Sequence, residues 1–216
     1  MYDAHAMAAQ TTQVAAPADR RSRARLSRRE SRQRIVSAAT ELVRERSYAE
    51  LSVDAVMREA GLGRTIFYRH FDDLADLLMG TSREAIEELF QAQLSFVQAA
   101  HGDPARAVRQ AFEAAVAVYG RHGPLLRCIS EAAAGDEDIA SGYREMRKRF
   151  DELAEQALRE LAFAGRMPPA NLGEIARALN RMNEMYLTET FGREPRVPPE
   201  MAVETLSGIW DAVIRP

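Results

Sequence analysis

The 216-residue sequence has a single cysteine, Cys128, so it can form no intrachain disulfide and no cysteine-ligated zinc cluster. Its four histidines are scattered, and none forms a close pair with that cysteine. No bound metal or cofactor is expected. No stretch approaches eighteen consecutive apolar residues, so no helix is expected to cross a membrane. The first residues lack the basic-then-apolar order of a secretory signal. A reduced, cytoplasmic setting is the expectation. Alternating β-branched runs are missing, as are internal repeats, and the chain reads as all-α. There is no convincing glycine-rich phosphate loop, metal-ligand run or nucleophile elbow. Acidic pairs such as Glu87-Glu88 fit solvated helix faces. An enzyme acting on a small molecule is therefore the remote alternative.

What is present is the ordinary composition of a soluble globular chain, 46% hydrophobic and 28% charged. The length allows one large domain or a small domain fused to a larger one. The net charge of −3 hides an asymmetry. Residues 20–71 hold thirteen basic and six acidic side chains, a net of +7, whereas residues 72–216 hold sixteen and twenty-four, a net of −8. The basic third suits a polyanion and the acidic remainder suits a body with another task.

Residues 1–19 show little periodicity and read as disordered. The run RRSRARLSRRESRQR, residues 20–34, carries eight arginines and one glutamate. Two readings stand. It is a solvated basic leader, or an arm whose Arg20, Arg21, Arg23 and Arg25 neutralise phosphates or enter a minor groove. Ile35, Ala38, Ala39, Leu42 and Val43 then form one apolar stripe on a helix of about 31–46. Ser52 is a plausible N-cap for a short second helix carrying Val53, Val56, Met57 and Ala60. Gly61 ends it in a left-handed position. A third helix is expected from Arg64 to about His70, with Ile66 and Phe67 inward and Arg64, Thr65, Tyr68 and Arg69 outward. Two short helices around a glycine turn make a helix-turn-helix pattern, which can set a helix in the major groove.

Long helices follow. One is expected over 73–99, and a second begins at Asp103-Pro104, a cap followed by a favourable first-turn proline. Gly120 to Pro124 reads as an interruption, with a short helix near 124–133 after it. Further helices are expected at 137–164, 171–191 and 198–214, about nine in all.

The run GLGRTIFYRHFDDLADLL, residues 61–78, resembles the TetR family of transcriptional regulators. The likeness is carried by the glycine turn, the Phe67-Tyr68 pair and Phe71 before the long helix, and it extends back through Leu51-Ser52-Val53. The segment from Ala176 to Trp210, with its Leu-Asn-x-Met-Asn-Glu run and terminal Ile-Trp, is similar to the mycobacterial EthR-type subgroup. The resemblance implies an all-α homodimer. Residues 1–28 would form the disordered arm and 29–89 the DNA-binding domain, with the helix-turn-helix at about 52–71. Residues 90–216 would form the ligand-binding and dimerisation domain, paired through the last two helices. It implies a repressor of double-stranded operator DNA, of palindromic form, released by a small apolar ligand. A regulator of the same fold without a physiological ligand is the alternative. The family often places a lysine where this chain has Leu74, preceded by Asp72 and Asp73. The arginine arm is the candidate for the missing phosphate attraction.

Given that motif, Arg64 suits guanine and Thr65 suits a thymine methyl. Tyr68, Arg69, His70 and Ser52 are candidates for the DNA backbone. A half-buried packing role for Tyr68 is compatible with that contact, and packing at the domain junction is the alternative for His70. For the ligand, the candidates are Phe112 and Tyr119, then Tyr143, Met146 and Phe150, then Asn180 and Asn183, and finally Trp210. Plain core packing accounts as well for the aromatic stripes, and a helix–helix hydrogen bond at a dimer interface for the asparagines. Trp210 suits an interface with Leu206, Ile209 and Val213, or a pocket cap. Cys128 reads as a small buried apolar residue, or as a redox sensor with no resolving partner nearby.

Overall fold

Ser27 opens the first helix in the computed structural model of the chain, which describes residues 26–99, 102–165 and 170–214. The Ser27 hydroxyl accepts from the Glu30 amide at 3.2 Å, and the Ser27 amide donates to the Glu30 carboxylate at 2.8 Å. This reciprocal cap starts α1 (Arg28–Glu45) three residues before the expected start of the helix. Arg28 is thus helical, while Arg20, Arg21, Arg23 and Arg25 lie outside the described residues. A single 3-10 turn (Tyr48–Glu50) follows, then α2 (Val53–Glu59). The Ser52 hydroxyl accepts from the Ala55 amide at 3.1 Å. Gly61, at φ +65°, reverses the chain as expected of a left-handed residue past a helix end.

The third helix is shorter than its sequence suggests. α3 (Arg64–Phe67) passes into a turn at Tyr68, and the Phe71 amide donates to the Phe67 carbonyl at 3.0 Å. The turn drives both Phe67 and Phe71 into one small core with Ile35, Ala39, Val56 and Leu77. Their rings lie 5.6 Å apart. α4 (Leu74–Ala99) then leaves this head. Its successive faces meet the head core at Leu77, the junction at Leu78 and the body at Ala85, Phe96 and Val97.

Eight α-helices occur among the described residues rather than nine, because α5 (Pro104–Ala132) runs unbroken through Gly120 and Pro124. A proline inside a helix removes one backbone hydrogen bond. Here the buried stripe of Phe112, Val116, Tyr119, Gly123 and Leu126 keeps its phase across that site. Burial of the stripe outweighs the local breaker. Gly123 is not a hinge, since a Cβ there would lie 2.1 Å from the Phe191 carbonyl oxygen. It admits the end of another helix. α6 (Glu137–Phe163), capped by Asp136, α7 (Leu172–Phe191) and α8 (Pro199–Ile214) complete a body in which α5 packs against α4, α7 and α8. No helix among the described residues is long and apolar enough to cross a membrane.

The two glycines of α5 should respond oppositely to alanine. Gly123→Ala should cost about 3 kcal/mol through the clash with Phe191. Gly120→Ala, where a Cβ meets nothing within 4 Å, should stabilise by about 0.5–1 kcal/mol. Urea denaturation of both variants checks this, and equal effects would reject the close-approach reading of Gly123.

Candidate functional site: a nucleic-acid interface and an apolar cavity

The turn after Gly61 and the brevity of α3 leave Arg64, Thr65, Tyr68 and Arg69 exposed on one end of the head. Phe67 beneath them is fully buried. Arg64 does not wave freely. One guanidinium nitrogen donates to both Asp54 carboxylate oxygens at 3.1 Å, and the other donates to the Tyr68 hydroxyl at 3.1 Å. Hydrogen bonding to Tyr68, then the Asp54 charge, raises the Arg64 pKa further above its ordinary value. Asp54 is a partner that sequence reading does not supply. The spacing of ten residues across a turn carries no helical signal that would reveal it.

His70 is drawn inward. Its Nε2 shares a 2.8 Å hydrogen bond with the Ser31 hydroxyl of α1. Burial first, and then the charges of Arg28, Arg32 and Arg69, lower its pKa. The ring therefore stands neutral at neutral pH and ties the turn after α3 to α1 within the head. Arg28 and Arg69 meet at the same edge, where the Arg28 guanidinium donates to the Arg69 carbonyl at 3.4 Å. Ser52 is exposed and spends its oxygen as acceptor on its own cap.

Leu74 is packed against both the head core and the junction core. The acidic residues around it have local work. The Asp73 carboxylate accepts from the Asp76 amide at 2.8 Å, and Asp76 accepts from the Asp72 amide at 3.1 Å. These bonds cap α4, so the segment is built for helix initiation and apolar docking.

In the body, residues of α4 to α8 line a cavity of about 150 Å³. All eight sequence candidates, Phe112, Tyr119, Tyr143, Met146, Phe150, Asn180, Asn183 and Trp210, line it. Trp210 is 4% exposed and packs edge-on to Phe96 and Phe112, with centroids 5.5 and 6.2 Å away. Its indole N–H donates to the Asn183 side-chain oxygen at 3.3 Å. Leu206 is likewise interior, at 1%. Of the α8 residues considered for an interface, Ile209 is the one that faces outward, with Met201 on the same helix and Met185 on α7.

One wall of the cavity is charged, which the periodic pattern did not disclose. The Glu184 carboxylate accepts from the Tyr143 hydroxyl and from the Arg147 guanidinium, the latter at 2.8 Å through each of two nitrogens. Arg181 reaches Asp151 at 2.8 Å, and Asn180 donates to the other Asp151 oxygen at 3.0 Å. Arg147, Arg181 and Glu184 line the space, and Asp151, bonded to Arg181 but not itself a lining residue, brings the paired group to zero net charge. Such pairing limits the desolvation cost of ions set beside an apolar space. Burial first, then Glu184, pushes the Tyr143 and Tyr119 hydroxyls far up, so both stay protonated. Asn180 and Asn183 are thus engaged with helices of their own chain. Signals existed in part: Arg147 lies four residues after Tyr143, and Glu184 four after Asn180. Charged residues on a helix read by default as solvated. No group of His, Cys, Asp and Glu able to hold a metal occurs among the described residues.

Known proteins share this architecture. Residues 35–79 match the family described as bacterial regulatory proteins, tetR family. Residues 108–215 match the transcriptional regulator EthR, C-terminal domain. The chain is 28% identical over 203 residues to the HTH-type transcriptional regulator EthR of Mycolicibacterium smegmatis, covering 92% of each chain. It is 28% identical over 181 residues to EthR of Mycobacterium tuberculosis, covering 82% of this chain and 83% of that one. Among solved structures, the TetR family regulator PfmR of Thermus thermophilus superposes with a TM-score of 0.70 at 19% identity, over 85% of this chain and 100% of that one. NalD of Pseudomonas aeruginosa, the secondary repressor of the MexAB-OprM multidrug efflux pump, gives 0.67 at 21% identity, over 88% and 98%. These two likenesses show the fold.

Cys128 is fully buried, and burial, then Glu131, pushes its thiol up to about 12. The thiol reading as an inert packing group has a direct check. Iodoacetamide at pH 8 should leave the folded protein unmodified and label it in denaturant. The sign of the linkage is also set. Between the ordinary thiol value near 9 and 12, the unfolded chain gives up a proton that the fold retains. Stability is therefore full below pH 9 and falls as pH rises above it. That alkaline fall should be shallower in Cys128→Ala. Rapid alkylation of the native protein would restore the redox reading.

Proposed function

The chain belongs to the TetR family of bacterial regulatory proteins, with an EthR-type C-terminal domain, and is a DNA-binding transcriptional regulator; from that premise we propose that it is a homodimeric repressor released from its operator by a small apolar ligand. Residues 29–89 form the DNA-binding unit in this reading, and residues 90–216 bind the ligand and the second copy. The mainly apolar cavity carries the reading. It is bounded by the same α5 and α7 that meet at the head junction, so its occupancy and the pose of the head share a scaffold. The outward Met185, Met201 and Ile209 supply an apolar face on the last two helices, in keeping with pairing there. Two copies present two heads, which suits a palindromic operator. Nothing in this reading needs a membrane, and a cytoplasmic setting fits it.

On the DNA, Arg64 reads a base edge, pre-positioned by Asp54 and Tyr68. Thr65 meets a thymine methyl. Tyr68, Arg69 and Ser52 hold the backbone, and Arg20, Arg21, Arg23 and Arg25 add counterion-releasing contacts. The ligand is uncharged, since the paired wall leaves no net charge to answer one. A regulator of this fold with no physiological ligand is the second reading, favoured by the internal pairing of Asn180 and Glu184.

Fluorescence anisotropy on the chain's own upstream intergenic DNA, against random duplex, is the test. Binding should be at least about a thousandfold tighter to the native fragment. Arg64→Ala should weaken it by roughly 5- to 150-fold, the worth of one bidentate base contact. Deleting residues 1–25, which spares the Ser27 cap, should flatten the slope of affinity against salt. Titration of the complex with uncharged apolar compounds should then release DNA. A compound that raises the protein's Tm yet leaves the complex intact would favour the second reading. Equal binding to both duplexes would reject operator recognition on that fragment.

A further inference from the structure

Arg127 is a buried cation at the junction of head and body. Its side chain is 9% exposed, yet it is not spent on a simple ion pair. Its Nε donates to the Gly192 carbonyl at 2.8 Å, at the C-terminal end of α7. One terminal nitrogen donates to the Val43 and Arg46 carbonyls at 2.8 and 2.9 Å, at the C-terminal end of α1. The other nitrogen pairs with Glu131, whose second oxygen accepts from the Tyr48 amide at 3.1 Å. The carbonyls at a helix C-terminus lack intrahelical donors and carry partial negative charge. One planar fork therefore satisfies the ends of two helices that are 146 residues apart in sequence, counted from Arg46 to Gly192.

The surroundings are shaped for this. A Cβ on Gly192 would lie 2.9 and 3.0 Å from the Arg127 Cβ and Cδ, so only glycine lets the stem pass. Gly123, one turn earlier on α5, admits Phe191 of the same helix end. α1 belongs to the head, and α7 walls the cavity with Asn183, Glu184 and Leu187. We propose that Arg127 is a positioning residue which locks the DNA-binding head to the end of α7 and so determines the half-site spacing that the protein accepts. The inference rests on the two-headed reading above. A head whose α1 end is bonded through one fork to the α7 end of the body has one orientation, and two such heads in a dimer have one separation. Without the fork, the head stays attached through α4 and the apolar junction but gains freedom of orientation.

The test uses the 216-residue chain and duplexes built on its upstream site, once DNase footprinting has located the two half-sites. The spacer between half-sites is lengthened or shortened by one and two base pairs, which changes both distance and rotational phase. The wild type should lose at least about thirtyfold in affinity at two base pairs from its optimum, while Arg127→Met should lose no more than about threefold across the same series. Arg64→Ala serves as the contrast, since it should weaken every spacing alike and keep the profile. Should Arg127→Met fail to fold, Arg127→Lys decides in the same way, because an ammonium cannot span both helix ends as a fork does. A uniform loss of affinity with the wild-type profile intact would overturn the role of Arg127 and leave the two-headed reading standing. A wild type indifferent to spacing would overturn the two-headed reading, and this inference with it.

Discussion

A guanidinium buried among the carbonyl ends of two helices is the constraint on which this structure turns. Arg127 draws its partners from α1, α7 and its own helix. Removing such a cation from water is costly unless its donors are engaged. Gly192, Val43, Arg46 and Glu131 between them leave no arm of the fork idle. The apolar junction of Val43, Leu51, Leu78, Cys128 and Ile129 excludes water around it. Head and body are consequently joined by directional bonds as well as by burial, and burial alone would permit sliding.

The same economy governs the cavity. Its walls are mainly aromatic and aliphatic, with one polar side where Arg147, Arg181 and Glu184 line the space and Asp151, paired with Arg181, balances the remaining charge. The Tyr143 hydroxyl and the Asn180 amide complete that side from two further directions. A fully paired polar wall stiffens α6 against α7 while leaving the space itself apolar. Trp210 lines the same space, held by two edge-on aromatic contacts and one hydrogen bond to Asn183.

Much of this was legible from local pattern. The apolar stripe from Ile35 to Val43, the Ser52 cap, the reversal at Gly61 and the inward Phe67 depend on residues within one or two turns of each other. Short-range spacing reports such features directly. The candidates for the cavity were legible for a related reason: Tyr143, Met146 and Phe150 lie on one helix face, as do Asn180 and Asn183. The interruption expected at Gly120–Pro124 failed because local propensity is weak beside the burial of Val116, Tyr119 and Leu126 on one continuous face. Asp54, Glu184 and Arg127 were not legible in their roles, since each acts on a residue supplied by another element.

Local pattern along the chain was enough for the all-α class, for the head with its exposed Arg64, Thr65, Tyr68 and Arg69, and for the separation of a basic third from an acidic body. Those follow from periodicity, capping and charge, which are properties of neighbours along the chain. Long-range packing is what makes α5 one helix, turns Trp210 and Leu206 inward, ties His70 to Ser31 and sets Arg127 between α1 and α7. Each of these depends on which distant group arrives to fill a space or accept a bond. Desolvation makes such a pairing strong only once both partners are buried together.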